Sequence, residues 1–594
     1  MNPLGPARRG REQLPADNSQ IAAIFDEVAD LLEISGANFF RVRAYRNAAR
    51  VVKDLSTPVA VVAANPDEKL EDLPGIGKDL ADKIETILET GDLPMRQELE
   101  GQIPTGLMDV MKIAGLGPRK AHTLFLELGV KDLDSLGEAA RAGKIQGVKG
   151  FGPRTEENIL EGIYAVKGMG NRMLRADAER LLNSVREHLD AVPGIKALEA
   201  AGSYRRLMET VGDLDILVAC EDPAATSQRF IEHPDVTRVI AHGPTRTSVV
   251  MGKDNQVDIR IVPEESFGAA LQYFTGSQAH SIALRSLALR KGLKLNEYGV
   301  FREEESIAGR TEEEVYAALG LPWIPPELRE NRGEIGAAFE GRLPDLVTLE
   351  DIRGDLHIHT DITDGRDTLA AMVAEAKRRG YLYIAVTNHT KRVTMVGGLD
   401  DSELLDHWRE LDILDEKTAG IHVLRGVEVD ILKDGSLDIS DEVLEQADFV
   451  VASVHYDRDM PRPRMTRRII RAIENPVVDV LGHPTGRKLN ERPPYNVNMD
   501  EVIAAAARTG TALELNSNPK RLDIDDHNCR SAREHGVRVV IATDAHSVRE
   551  MDFMRYGLNQ ARRGWLEKRD VLNTATHRTL MKKLKEKAVK VNDP

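Results

Sequence analysis

Six histidines and three carboxylates in the C-terminal part of the chain sit where short apolar runs end: His357 and His359 as His-x-His, Asp364 in the next loop, then His389, Glu428, His455, His483, Asp544 and His546. Side chains alternate along a strand, so His-x-His places both imidazoles on one face. A lone strand histidine is more often structural than ligating. Nine such groups at successive strand ends fit neither core packing nor a random surface. A site this rich in imidazole suits two or three Mn²⁺ or Zn²⁺ ions, with Glu428 as the bridging carboxylate and metal-assisted phosphoester hydrolysis as its chemistry. Arg487 and Lys520 are candidate contacts to substrate phosphates, set against the commoner solvated cation.

A second constellation lies upstream. Gly202-Ser203-Tyr204-Arg205-Arg206 precedes Asp213 and Asp215, two apart in an apolar run, and Asp258 follows in QVDIRIV. Two aspartates at this spacing alone often mark a solvated strand face. With a third carboxylate on another strand they can hold two Mg²⁺ or Mn²⁺ ions, which activate a hydroxyl nucleophile and clamp oxygens that gain charge in nucleotidyl transfer. The glycine permits close approach, Ser203 supplies a hydroxyl, and Arg206 a guanidinium fork for phosphate. Tyr273-Phe274-Thr275-Gly276 reads, taken alone, as core packing beside a turn.

Three Gly-x-Gly turns, at Gly75 and Gly77, Gly115 and Gly117, and Gly150 and Gly152, each open a helical pattern and are followed by Lys78, by Arg119 and Lys120, or by Arg154. Such turns bring free N–H groups and the positive end of a helix close to a phosphate. One alone is an ordinary helix start. Three in one helical region favour grip on a nucleic-acid backbone.

These residues need positioning elements, and the chain of 594 residues is long enough for several domains. Residues 20 to 170 carry helical spacing, as in Ile21, Ile24, Phe25, Val28, Leu31 and Leu32. From Ala197 short runs (DLDILVAC, TSVVM, QVDIRIV) predict an antiparallel sheet in a mixed domain. Residues 323–349, rich in Pro, Gly and charge, read as a linker. Beyond them seven strand-like runs alternate with helical stretches, predicting a parallel barrel with its polar residues at the C-terminal mouth. The net charge of −16 argues against a diffuse basic coat, and two cysteines, Cys220 and Cys529, exclude a disulfide framework. No apolar run is long enough for a membrane span, and the N-terminus lacks a secretory pattern, so a cytoplasmic, monomeric protein is expected.

The hairpin segments resemble helix-hairpin-helix motifs, the first of them that of the DNA polymerase beta family, where a lysine in the following helix forms a Schiff base with an abasic sugar; Lys83 occupies that place, against a plain surface reading. The Gly202–Asp258 constellation resembles the nucleotidyltransferase core of family X DNA polymerases. That resemblance implies triphosphate contacts from Ser203 and Arg206, joined by Arg172, with Gly202, Gly276 and Arg285 also at the nucleotide, and sugar packing by Tyr273 and Phe274. Ser281 stands where the family commonly has Asn. The nine-ligand set resembles the polymerase-and-histidinol-phosphatase (PHP) domain, with Asn388 in place of an Asp. Together these imply a multidomain α/β protein: a flexible N-terminus (1–20), helix-hairpin-helix domains (21–105 and 106–172), palm (173–265), thumb (266–322), linker (323–349) and a PHP (β/α)7-type barrel (350–580). The order is that of bacterial and archaeal family X polymerases and implies gapped or primed DNA and dNTPs as partners, base excision repair, and a 3′-5′ exonuclease, with abasic-site endonuclease or lyase activity as a further implication. A DNA-binding scaffold with vestigial sites, or a PHP domain acting as a small-molecule phosphatase, are the alternatives.

Overall fold

In the computed structural model the helical spacing of the first segment is buried as read, with Ile21, Phe25, Val28 and Leu31 fully enclosed. The structure describes residues 18–592 except 56, 66–68, 105, 112, 114–115, 142–143, 153–158 and 160–171. The chain divides into two units, one ending at Gly170 and one beginning at Asn171.

The first unit holds two apolar cores. One is built by helices Asn18–Ile34, Phe39–Asp54 and Lys78–Thr90, and the other by residues from Ile103 to Ile159. Leu31 and Ile34 of the first helix pack into the second core, so that helix ties the two together. Helix Lys78–Thr90 buries Leu80, Ala81, Ile84 and Ile87 on one stripe and ends on Gly91 in the left-handed conformation that glycine adopts without strain. The expectation of flexibility through residue 20 is corrected at its end. Asn18 already begins the first helix, and its amide bonds to Leu55 O, Thr57 O and Val59 N; residues 1–17 lie outside those described.

In the second unit a five-stranded sheet runs in the order Ile195–Ala200, Leu214–Cys220, Asn255–Ile261, Arg246–Met251, Val236–Ala241. It is mixed rather than antiparallel. Strand Leu214–Cys220 pairs in parallel with Asn255–Ile261, in a register that sets Asp215 beside Asp258. Alternation in the sequence shows which face a residue takes but carries no signal of strand direction. Helices Phe267–Thr275, Gln278–Arg290 and Glu312–Ala318 with a three-stranded sheet follow.

Residues 323–349 are not a loose connector. Ile324, Leu328, Arg329, Glu334, Ala337, Ala338, Leu346 and Val347 are buried, and most join a core that also takes in Trp565 from the C-terminal part of the chain. The segment looked like a linker because it buries charge in pairs rather than on an apolar stripe. Arg329 clamps Glu312, which also binds Arg205 and Trp323, and Glu334 meets His280 at 2.6 Å. Burial raises the cost of ionising Glu312, but Arg329 and Arg205 outweigh it and lower its pKa to about 2.

Seven parallel strands then follow in sequential order, Gly354–Ile358, Tyr383–Val386, His422–Asp430, Phe449–Ser453, Val480–Leu481, Ala512–Asn516 and Val539–Ala542. A bridge between Ile358 and Ala545 brings the last strand back to the first and nearly closes a barrel. The final helix, His577–Asn592, extends past the expected end at 580, and its Leu580 is fully buried against the barrel.

Candidate active sites

Strand Leu214–Cys220 and its parallel neighbour build the first site. Asp213, just ahead of the strand, joins Asp215 and Asp258 so that their ligand oxygens lie within 4.8 Å of one another. Asp258 is buried and anchored by Arg246 at 2.9 Å and Gln256 at 3.1 Å. Burial and the charges of Asp213 and Asp258 push the Asp215 carboxyl up to about 7, a repulsion that a divalent cation would relieve. Gly202 has φ +57°, and a Cβ there would lie 2.5 Å from Asp215 Oδ2, so both conformation and space require glycine beside the carboxylates.

The triad opens onto a cleft of about 480 Å³ lined by Arg172, Gly202, Ser203, Arg206, Asp213, Asp215, Tyr273, Phe274, Gly276 and Arg285. Every residue that the family resemblance implied for the nucleotide thus converges here, and Gln278 and Ser281 line it too. Arg172 is held by Thr210 through two 2.8 Å hydrogen bonds, and Arg206 by Thr275 O at 2.6 Å and Glu330 at 3.0 Å. The buried Ser281 Oγ has no hydrogen-bond partner among the described residues.

At the barrel mouth all nine expected ligands come together. Three overlapping groups, His359 with Asp364, His389 and His546, His357 with His359 and Asp544, and His389 with Glu428 and His455, each keep their ligand atoms within 4.8 Å. His483 Nε2 reaches Glu428 Oε1 at 3.1 Å. His389 Nδ1 and Glu428 Oε2 are 2.9 Å apart, yet neither makes a hydrogen bond among the described residues, and Nδ1 of His359 and of His483 is likewise buried with no hydrogen bond to them. Close approach without hydrogen-bond geometry is expected of side chains turned toward shared cations, so the donor set fits divalent metals. Burial disfavours charge on His357, but Glu514, Glu428 and Asp544 outweigh it and hold its pKa well above the usual value. Burial, with His546 and His389 nearby, pushes His359 down to about 3. Two of the ligands, His483 at φ +26° and Asp544 at φ +51°, sit in the left-handed region that non-glycine residues rarely adopt, the kind of strain that gathers at functional sites.

Sequence reasoning missed the groups that orient these ligands. Glu514 Oε1 meets His357 Nδ1 at 2.7 Å, and its other oxygen accepts from the His483 backbone N–H at 2.5 Å. Asp430 holds His455 Nδ1 at 3.2 Å. Both lie on barrel strands, and the signal was present as polar residues alternating within an apolar run, Glu514 in TALELNSN and Asp430 in HVLRGVEVD. Asn388 binds Thr360 and Thr363 beside Asp364 and reaches His407 Nε2 at 3.1 Å. Glu514→Gln is expected to weaken metal retention on the order of ten to a hundred times, measured by metal content after dialysis. Arg487 is paired with Glu209 at 2.6 Å and donates to Leu522 O, with its side chain 11% exposed. Lys520 is exposed, 3.5 Å from Glu491.

Among the hairpins, Gly75 (φ +83°) and Gly150 (φ +96°) occupy left-handed turns, and Gly77 and Gly117 cap helices Lys78–Thr90 and Pro118–Leu128. Gly115, Arg154 and most of the residues after the third turn lie outside the described residues. Lys83 is paired with Asp79, largely shielded, with its Nζ 5.9 Å from the Tyr45 ring.

Comparison with known proteins adds the following. Residues 16–93 match a helix-hairpin-helix domain, 107–163 a SAM-like helix-hairpin-helix tandem, 172–252 the DNA polymerase beta palm, 270–330 the DNA polymerase beta thumb and 355–518 the PHP domain. The chain is 37% identical over 557 residues to the DNA polymerase/3'-5' exonuclease PolX of Bacillus subtilis (strain 168), covering 93% of this chain and 96% of that one. It is 26% identical over 346 residues to rat DNA polymerase lambda, covering 53% and 56% respectively. A probable phosphatase of Thermoanaerobacter sp. (strain X514) is 30% identical over 249 residues, 40% of this chain and 96% of that one.

Proposed function

The chain belongs to the family X DNA polymerases that carry a C-terminal PHP domain, and on that premise we propose that this DNA polymerase/3'-5' exonuclease fills short gaps in base excision repair and trims 3′ ends at its PHP centre. The observation that carries the reading is the pair of ligand clusters with no residue in common, one opening onto a cleft and one at a barrel mouth. Asp213, Asp215 and Asp258 hold Mg²⁺ or Mn²⁺, and the nine PHP ligands hold two or three Mn²⁺ or Zn²⁺ ions. When bound, such cations ease ionisation of the attacking hydroxyl or water and offset charge on the departing oxygens. Ser203, Arg172, Arg206 and Arg285 bind the triphosphate, with Gly202 and Gly276 admitting it closely, while Tyr273 and Phe274 pack against its sugar. We assign residues 21–105 and 106–172 to DNA backbone contact, 173–265 to the palm, and the thumb as running through the packed segment that follows it.

A one-nucleotide gapped duplex with Mg²⁺ or Mn²⁺ tests the whole reading. With dNTPs the primer is expected to lengthen, and without them to shorten from its 3′ end. Release of phosphate from small phosphomonoesters with no shortening would move the PHP centre to the phosphatase reading, which its likeness to probable phosphatases supports.

The hairpins allow a separate test. A Cβ on Gly77 would meet none of the described residues within 4 Å, and its φ is that of any residue, so Gly77→Val keeps the fold and instead fills the space a phosphate would use. Binding to gapped DNA is expected to weaken about tenfold, or ~1.4 kcal/mol, in a titration with labelled duplex. Unchanged affinity would remove Gly77 from the interface. Lyase chemistry at Lys83 is tested by borohydride trapping on an incised abasic site: an adduct lost in Lys83→Ala assigns it, and no adduct leaves Lys83 as the partner of Asp79.

A further inference from the structure

A row of alternating charges leads from the polymerase cleft into the C-terminal domain. Arg206, which lines the cleft, donates through Nε to Glu330 Oε1 at 3.0 Å. The same oxygen accepts from Nη1 of Arg563 at 3.0 Å, and Arg563 Nη1 also holds the Arg206 carbonyl at 2.7 Å. Arg563 Nη2 continues to Asp526 at 2.8 Å, and Asp526 binds Arg332 at 2.9 Å. Arg563 ends helix Met554–Arg563, beyond the last barrel strand, and its side chain is 2% exposed.

Charge count decides what Arg563 does here. Three arginines and two carboxylates leave this row with one net positive charge. Without Arg563 the row becomes two neutral pairs, and Glu330 has Arg206 to itself. A carboxylate that shares its oxygen with a second guanidinium holds the first less tightly, and the Arg206 backbone stays fixed by the carbonyl contact. Glu330 remains ionised, because Arg563 and Arg206 outweigh the cost of its burial. A buried arginine with both ends engaged also gives Arg206 a rigid support, which lowers the ordering cost when a ligand arrives.

We infer that Arg563 is a positioning residue for nucleotide binding: by sharing Glu330 and holding the Arg206 carbonyl, it keeps the Arg206 guanidinium available to an incoming nucleoside triphosphate. The inference rests on the triphosphate reading of the cleft. It makes the nucleotide affinity of the polymerase site depend on a residue of the C-terminal domain that touches neither cluster of ligands.

Full-length protein and steady-state gap filling over a range of dNTP concentrations provide the test. Arg563→Met is expected to raise the KM for dNTP about tenfold while kcat and 3′-end digestion stay within about twofold, because the lost interaction serves binding of the nucleotide. Adding Glu330→Gln to that variant removes the unshared carboxylate and should bring KM most of the way back, and Arg563→Lys should fall between the parent and Arg563→Met. A brace with no electrostatic role would instead lower kcat, digestion and thermal stability together, with no recovery on adding Glu330→Gln, and that result overturns the inference. Should Arg563→Met fail to fold, Glu330→Gln alone carries the question: a KM lowered by about two- to threefold supports it, and an unchanged or raised KM overturns it. Arg206→Ala separates the two layers. If it raises KM while Arg563→Met does not, only the inference fails; if Arg206→Ala leaves KM unchanged, the triphosphate reading fails and the inference with it.

Discussion

Replacing His357 and His359 with alanine is expected to cut 3′-end digestion by more than about a thousandfold while gap filling continues at the parental rate. His359 belongs to two of the three overlapping ligand groups and His357 to one, so the pair of changes disrupts two candidate metal positions. Neither residue is shared with Asp213, Asp215 or Asp258. The effect is large because a divalent cation at such a site supplies several kcal/mol toward the transition state, and each ~1.4 kcal/mol is a factor of ten in rate. Truncating His357 also leaves the buried Glu514 without its 2.7 Å partner, so His455→Ala, at a ligand 18% exposed, serves as a companion with less disturbance of the core. Gel analysis of a labelled primer with Mn²⁺, with and without dNTPs, reads both activities at once. Extended products should accumulate more readily in the variant, since nothing removes them. Digestion that survives both variants would place the nuclease elsewhere.

The second expected result is the reverse. Asp213→Asn with Asp215→Asn should reduce primer extension by more than about a thousandfold, with gapped-DNA binding and 3′-end digestion retained. Asparagine keeps the size of the side chain but supplies no negative charge to a cation. The parent protein stores carboxylate repulsion here, with Asp215 raised to about 7 by burial and by Asp213 and Asp258. The double variant should therefore be at least as stable as the parent in a thermal melt without metal, which separates lost chemistry from lost fold. Normal extension by this variant, or loss of digestion along with extension, would refute the division of labour between the sites.

What the sequence could reveal followed from local rules. All seven barrel runs are strands, and their order is sequential because each apolar run separated by a helix has one ready neighbour, the strand before it. Their last residues had to converge, since parallel strands share one C-terminal end. The mixed palm sheet was not legible, because the parallel pairing that sets Asp215 beside Asp258 joins strands separated by two others in the chain. Nor was the packing of residues 323–349, whose burial rests on partners as distant as Glu312 with Arg329 and Trp565 with the thumb core.

By itself, then, the sequence determined the residue types of both sites, the faces they occupy and the seven-stranded barrel, because side-chain alternation and strand-end position are properties of neighbouring residues. Only the tertiary structure decided which groups support them. Glu514 stands behind His357 across 157 positions, Arg487 meets Glu209 across 278, and Arg563 reaches Arg206 across 357. Each of these contacts depends on two surfaces meeting after both have folded, and a charged side chain carries no local mark of the partner that will neutralise it.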